Sequence, residues 1–226
     1  VTCMDTVNDL KKMLSGSLNI GITYTFAPIL TETVIAFTKA HPAVKLNIFY
    51  KTMEELMSML EKRELDFVLS FKPSSVHPAI ESHVLFDNNL SVIVNRYHPL
   101  AEKEKITLQD ILPHGIAMPA KGLQSRNEFD KLYPSAYNQM KVRMELNEVN
   151  VLLDIVRGSS LITILSEAVI HQTNGLVAIP FDVPDNIMVG CVHTERGAYR
   201  KKAAEEFIRM LQESEAVRER AIQWLE

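Results

Sequence analysis

Thr23, Tyr24 and Thr25 put two hydroxyls around a turn that leads into Pro28, a residue suited to the first turn of a helix. Hydroxyls beside the free N–H groups and positive dipole end of a helix start suit a carboxylate, sulfate or phosphate. The plain alternative is helix capping, which asks for the same residue types. Thr52 raises the same choice, because Thr52-Met53-Glu54-Glu55 is a capping box in which hydroxyl and carboxylate each satisfy an orphan backbone donor. Ser70 and Phe71 end a short apolar run, where a cleft would have its floor; Phe71 equally suits a core. In the second half, Gln124, Ser125 and Arg126 open another helix, and Ser125-Arg126-Asn127-Glu128 reads as a second capping box. Arg126 is the natural partner of an anionic guest through two parallel hydrogen bonds, although a surface arginine is usually solvated. Asn147 ends a strand, where its amide would cap the next helix or reach a ligand. Thr163 lies within a strand, and packing is its simpler role.

Catalytic chemistry finds little support. The seven histidines are scattered and form no H-E-x-x-H pattern. Neither Cys3 nor Cys191 belongs to a C-x-x-C pair, and no G-x-S-x-G elbow or phosphate-cradling glycine loop is present. No metal ligand set and no cofactor are expected. His98 and His193 read as exposed loop histidines, and Met53, Met57 and Met59 as core filling.

The elements that must position these residues alternate. Leu18, Ile20 and Ile22 mark a strand; Leu30, Val34 and Phe37 mark one helical face, stopped by His41-Pro42. Strand 44–50, a helix after Thr52 and a buried strand at 66–71 repeat the unit. Leu90 to Asn95 is a further strand. A second series follows: strands at 116–118, 142–146, 161–165, 176–179 and 187–193, with helices after 125 and after 149. The latter closes at Gly158 as a left-handed cap. Ser166 caps a short helix ending near Asn174-Gly175, and two helices finish the chain. Strands alternating with amphipathic helices predict an α/β fold with mostly parallel sheets and a cleft between two halves.

The 226 residues suffice for two modest domains, and 46% apolar content is enough for a core. No apolar run is long enough to span a bilayer, and two distant cysteines fit a reducing cytoplasm better than a disulfide framework. A net charge of −4 argues against nucleic-acid binding by this segment.

Ordered along the chain, several segments resemble one family. Ser17-Leu18-Asn19-Ile20-Gly21-Ile22 resembles the first strand of LysR-type effector domains, and Phe37-Thr38-Lys39-Ala40-His41-Pro42 their "F-x-x-x-x-P" helix ending. Glu64-Leu65-Asp66-Phe67-Val68-Leu69 is similar to "G-x-L-D-x-x-I", and His98-Pro99-Leu100-Ala101 to the "H-P-L-A" crossover. Residues 156–165 resemble "V-x-x-G-x-G-I-x-x-L-P", with Ser160 in place of the second glycine and Ser166 in place of the proline.

The resemblance implies a type-2 periplasmic-binding-protein-like fold with two Rossmann-like subdomains. The first would span 15–93 and 194–226 and the second 94–193, with residues 1–14 the end of a linker helix. It implies a transcription regulator's cytoplasmic sensor that binds a small, anionic metabolite at Thr23, Tyr24, Thr25, Thr52, Ser70, Phe71, Gln124, Ser125, Arg126, Asn147 and Thr163. The partners implied are a second copy in a homodimer or homotetramer, and DNA through an N-terminal winged helix-turn-helix absent from this segment, with no membrane. The competing readings are a transporter's solute-binding protein and a cytosolic enzyme of the same two-lobed fold.

Overall fold

The computed structural model describes residues 14–73, 78–170 and 175–221. The expected linker helix at 1–14 therefore lies almost wholly outside the described residues, as does the end, near Asn174, of the helix after Ser166; its described part is a helical turn at Glu167–Ile170, where the Ser166 hydroxyl accepts from the Ala168 N–H at 3.2 Å.

Among the described residues the chain carries a five-stranded, a three-stranded and a two-stranded sheet. In the first, β1 (Gly16–Ile22), β2 (Val44–Tyr50) and β3 (Phe67–Phe71) run parallel, joined by α1 (Ala27–Ala40) and α2 (Met53–Glu61). β4 (Ile80–Asn88) and β10 (Met188–Glu195) complete it in the order β2-β1-β3-β10-β4, with β10 antiparallel to both neighbours. Alternation along β3 decides what each face meets. Phe67, Leu69 and Phe71 enter the main core, while Val68 packs with Leu56 and Leu60 of α2. On the main-core face, Phe207 of α6 (Lys202–Glu213) stacks with Phe37 of α1 at 5.1 Å and Phe67 at 5.7 Å. α7 (Glu215–Ala221) closes this lobe.

The second lobe begins at β5 (Leu90–Asn95), which sits between β8 (Thr163–Ser166) and β9 (Leu176–Pro180), antiparallel to each. β6 (Gly115–Pro119) and β7 (Lys141–Leu146) pair in parallel, and a parallel bridge from Ile116 to Ile162 joins them to β8. Helices α3 (Leu108–Ile111), α4 (Gln124–Leu132) and α5 (Val149–Arg157) flank these two sheets. The expectation of mostly parallel sheets thus holds for β1–β3 and not for the second lobe.

Several local expectations are corrected. β4 lacked a clear signal because Glu81, Ser82 and His83 interrupt its apolar pattern on a sheet edge. The expected boundaries were 93/94 and 193/194, whereas hydrogen bonding changes lobes between Asn88 and Leu90 and between Phe181 and Met188. A long β10 paired to β3 and β4 needs residues 188–193 in the first sheet. Gly158 ends α5 at φ −94°, not left-handed. Leu123, not Ser125, precedes α4, and Glu148, not Asn147, caps α5 by accepting from the Asn150 and Val151 N–H groups.

The lobes share one apolar core. Phe26, Phe71 and Phe86 of the first lobe pack within 5.4 to 6.3 Å of one another, and their cluster continues through Leu90, Val92, Phe129 and Phe181 of the second. Gly190 is required beside Phe86, since a Cβ there would lie 2.6 Å from the ring.

Candidate functional site

Parallel strands β1 and β3 end side by side, so Thr23 and Phe71 reach the lobe boundary together, with the Thr23 N–H bonded to the Leu69 carbonyl at 3.1 Å. Across that boundary stands Gln124, the first residue of α4. Its Oε1 accepts from the Thr23 hydroxyl at 3.0 Å and the Phe71 N–H at 3.1 Å; its Nε2 donates to the Phe71 carbonyl at 2.7 Å. Thr23 and Gln124 are buried, so these bonds replace water inside a low-dielectric gap.

Behind them lies an ordered relay. His193 is fully buried, with Nε2 2.8 Å from Ser70 Oγ and Nδ1 2.8 Å from Ser82 Oγ. Ser70 directs its own hydroxyl proton to the Phe71 carbonyl at 3.0 Å. Nε2 must then carry the ring proton and donate to Ser70, while Nδ1 accepts from Ser82. Burial favours this neutral ring and pulls its pKa down to about 4; the Ser70 backbone opposes that and His83 adds to it. The Phe71 carbonyl thus receives both Ser70 and Gln124. The expectation of an exposed loop histidine is corrected: β10 carries His193 into the sheet. His98 is also buried, 7% exposed, its pKa lowered by burial and by His114.

Beside the Gln124 bridge a cavity of about 260 Å³ is lined by residues of both lobes, among them Met53, Phe71, Lys72, Gln124 and Asn127. It shares Met53, Lys72, Pro73 and Asn127 with a larger space of about 1010 Å³ that runs along α2, β4 and β10 past Thr52, Ile80 and His193. Lys72 lines both and makes no ion pair among the described residues. No group of three or more His, Cys, Asp or Glu able to hold a metal occurs among the described residues.

Of the residues expected at the site, Thr23, Ser70, Phe71 and Gln124 come together. Thr52 is exposed, caps α2 in a complete capping box and lines the larger space. Tyr24 stacks on Tyr50 at 6.5 Å and packs against the second lobe's smaller core. Thr25 and Thr163 are fully buried, with no hydrogen-bond partner for either hydroxyl among the described residues, and neither lines these cavities. Ser125 accepts from the Ser166 N–H at 3.2 Å, inside the second lobe. Asn147 is exposed and lines neither cavity.

Arg126 is not the free cation its type suggests. It is 2% exposed, bonds Asp130 at 2.9 Å and the Pro119 carbonyl at 3.2 Å, sits 3.7 Å from Glu145, and lies 4.6 Å over the Tyr137 ring. Its planar fork is consumed in bracing α4 against β7. Lys72 and Lys131 both line the smaller cavity, Lys131 at 3.5 Å from Glu128; Lys72, passed over in the sequence, carried one signal there, its place directly after the buried strand ending at Phe71. His193 had a similar signal, falling inside the apolar run from Ile187.

The family described as LysR substrate binding domain matches residues 11–216. The HTH-type transcriptional activator CmpR of Synechocystis sp. (strain ATCC 27184 / PCC 6803 / Kazusa) is 23% identical over 184 residues, covering 79% of this chain and 60% of that protein. The RuBisCO operon transcriptional regulator of Allochromatium vinosum is 25% identical over 217 residues, covering 91% and 72%. The chain therefore spans about two thirds of the length of these relatives. Among solved structures, the effector binding domain of QuiR in complex with shikimate has a TM-score of 0.68 at 21% identity, covering 92% of this chain and 98% of that one. The regulatory domain of Synechocystis PCC6803 CcmR in complex with 2-PG has a TM-score of 0.74 at 20% identity, covering 88% and 97%.

Proposed function

The chain belongs to the LysR substrate binding domain family and is an effector-binding domain of a LysR-type transcriptional regulator; from that premise we propose that it senses a small anionic metabolite held between its lobes. The observation that carries this reading is Lys72, a cation without an ion-pair partner among the described residues, facing a cavity lined from both lobes. Phe71, Gln124 and Asn127 line that cavity with hydrogen-bonding groups, Thr23 is bonded to Gln124 at its edge, and Met53 forms an apolar wall. Arg126 does not take part. Shikimate in QuiR and 2-PG in CcmR are guests of domains with this fold, which supports a small polar guest here.

The output is a change of lobe orientation in an oligomer, a homodimer or homotetramer of this domain. That change would reposition a winged helix-turn-helix carried elsewhere in the regulator, and only the latter would touch DNA. A guest acts through unequal affinity for two lobe arrangements. The role is that of a sensor in the cytoplasm, without turnover of the guest.

Thermal-shift titration with small carboxylates and phosphate esters, shikimate included, tests the reading. A ligand at one hundred times its Kd stabilises by about 2.7 kcal/mol, which is readily seen. Lys72→Met is expected to weaken binding of the responding compounds about tenfold or more, because a charge-assisted bond is lost. Unchanged affinity in Lys72→Met would overturn the assignment of the anion seat.

A further inference from the structure

Gln124 uses up the groups that a guest at the lobe boundary would need. One planar amide offers an acceptor, Oε1, to two donors, the Thr23 hydroxyl and the Phe71 N–H, and beside it a donor, Nε2, to the Phe71 carbonyl. We propose that this amide is a built-in stand-in for the effector's head group, and that the effector is a small 2-hydroxycarboxylate that displaces it. The proposal rests on the reading of the interlobe space as the effector seat and gives that seat a chemical class.

The class follows from what must be matched. A carboxylate oxygen can take both donated bonds in place of Oε1. The adjacent hydroxyl can then donate to the Phe71 carbonyl in place of Nε2. The second carboxylate oxygen is left for Lys72, which lines the same cavity as Phe71 and Gln124. A simple carboxylate has no donor, so it leaves the Phe71 carbonyl with the Ser70 hydroxyl alone and facing an anionic oxygen. A primary amide fits the pattern but offers Lys72 no counter-charge. Beside a simple carboxylate the carbonyl loses one of its two bonds and meets a second lone-pair oxygen inside a buried site, which is how such a site disfavours an analogue lacking one hydroxyl. Displaced, Gln124 enters the cavity it already lines.

The experiment uses the chain with lactate against propionate and malate against succinate, titrated by calorimetry and amide NMR. The native protein is expected to bind the hydroxy acid of a pair about tenfold more tightly than its deoxy partner. Gln124→Met keeps the volume but cannot compete for Thr23 and Phe71, so the hydroxy acid should bind it about tenfold more tightly still. Gln124→Leu, which likewise cannot bond Thr23 or Phe71, should also bind more tightly and serves if the methionine variant folds poorly. Equal binding within each pair, no binding by any of the four acids, or weaker binding in both Gln124 variants would overturn the proposal. Thr23→Val and Lys72→Met separate the two ideas. If both weaken a responding acid while neither Gln124 variant tightens it, the stand-in is wrong and the seat is right. If neither moves any acid, the seat itself is wrong.

Discussion

His193 holds its ring between two serine hydroxyls with no access to water, and the direction of its pH effect follows from that burial. The folded ring takes up a proton only near pH 4, whereas an unfolded histidine does so near 6.5. Between those values the unfolded chain binds more protons, so stability is complete above about pH 7 and falls as pH drops through 6.5, levelling off below about 4. The full loss is about 3 kcal/mol. Urea unfolding at pH 7.5, 6 and 5 should show this slope in the native protein, and His193→Gln should remove that share of it. Parallel slopes for the two proteins would rule out the sealed neutral ring. Arg126 and Lys72 show what residue type leaves unsaid. Both are cations, but Asp130, Glu145 and Tyr137 converge on Arg126 from α4, β7 and the turn before β7, contacts set by tertiary folding. Lys72 follows a strand whose end faces the other lobe, and nothing in its neighbours' types announces this.

At the scale of elements, Thr52 belongs to both a cap and a cavity wall. Its hydroxyl accepts from the Glu55 N–H, and the Glu55 carboxylate accepts from the Thr52 N–H at 3.0 Å, so capping alone explains the residue. These bonds also hold the Glu55 pKa below its ordinary value. Thr52→Ala should cost about 1 kcal/mol in urea unfolding and leave the affinity of any responding acid unchanged. A fall in affinity greater than about threefold with unchanged stability would transfer Thr52 from the cap to the ligand. The box was legible because its partners are three residues apart and its chemistry is local. Helix α1, with Pro28 in its first turn and His41 after its last residue, was legible for the same reason. The false box at Ser125 has the same residue spacing, but α4 begins two residues earlier than such a box requires and Ser125 turns instead to the Ser166 N–H, 41 residues away. β4 escaped because edge strands tolerate polar runs, and its partner β10 lies about a hundred residues on.

At the scale of the molecule, the two lobes are stapled by side-chain amides that imitate a strand. Asn186, in the crossing between β9 and β10, accepts from the Leu90 N–H at 2.9 Å and donates to the Leu90 and Phe181 carbonyls at 2.9 and 3.1 Å. Gln124 treats Phe71 in the same way at the opposite side of the chain's topology, where the lobes meet without a covalent crossing. Alternation of strands and helices made the two-lobed fold legible, while both staples and both changeovers escaped, because each pairs residues 50 to 100 positions apart. The staples should differ in consequence. Asn186 joins segments of a shared core, so Asn186→Ala leaves the buried Leu90 N–H unpaired and should lower global stability by about 2 kcal/mol. Gln124 bridges a boundary with a cavity beside it, so Gln124→Met should speed amide hydrogen exchange mainly at Phe71 and its neighbours. Exchange at the Leu90 amide should rise in Asn186→Ala and stay near native in Gln124→Met. If Gln124→Met instead raised exchange evenly across both lobes, the bridge would be part of the core rather than a latch that opens by itself, and lobe motion would have to begin at the crossings.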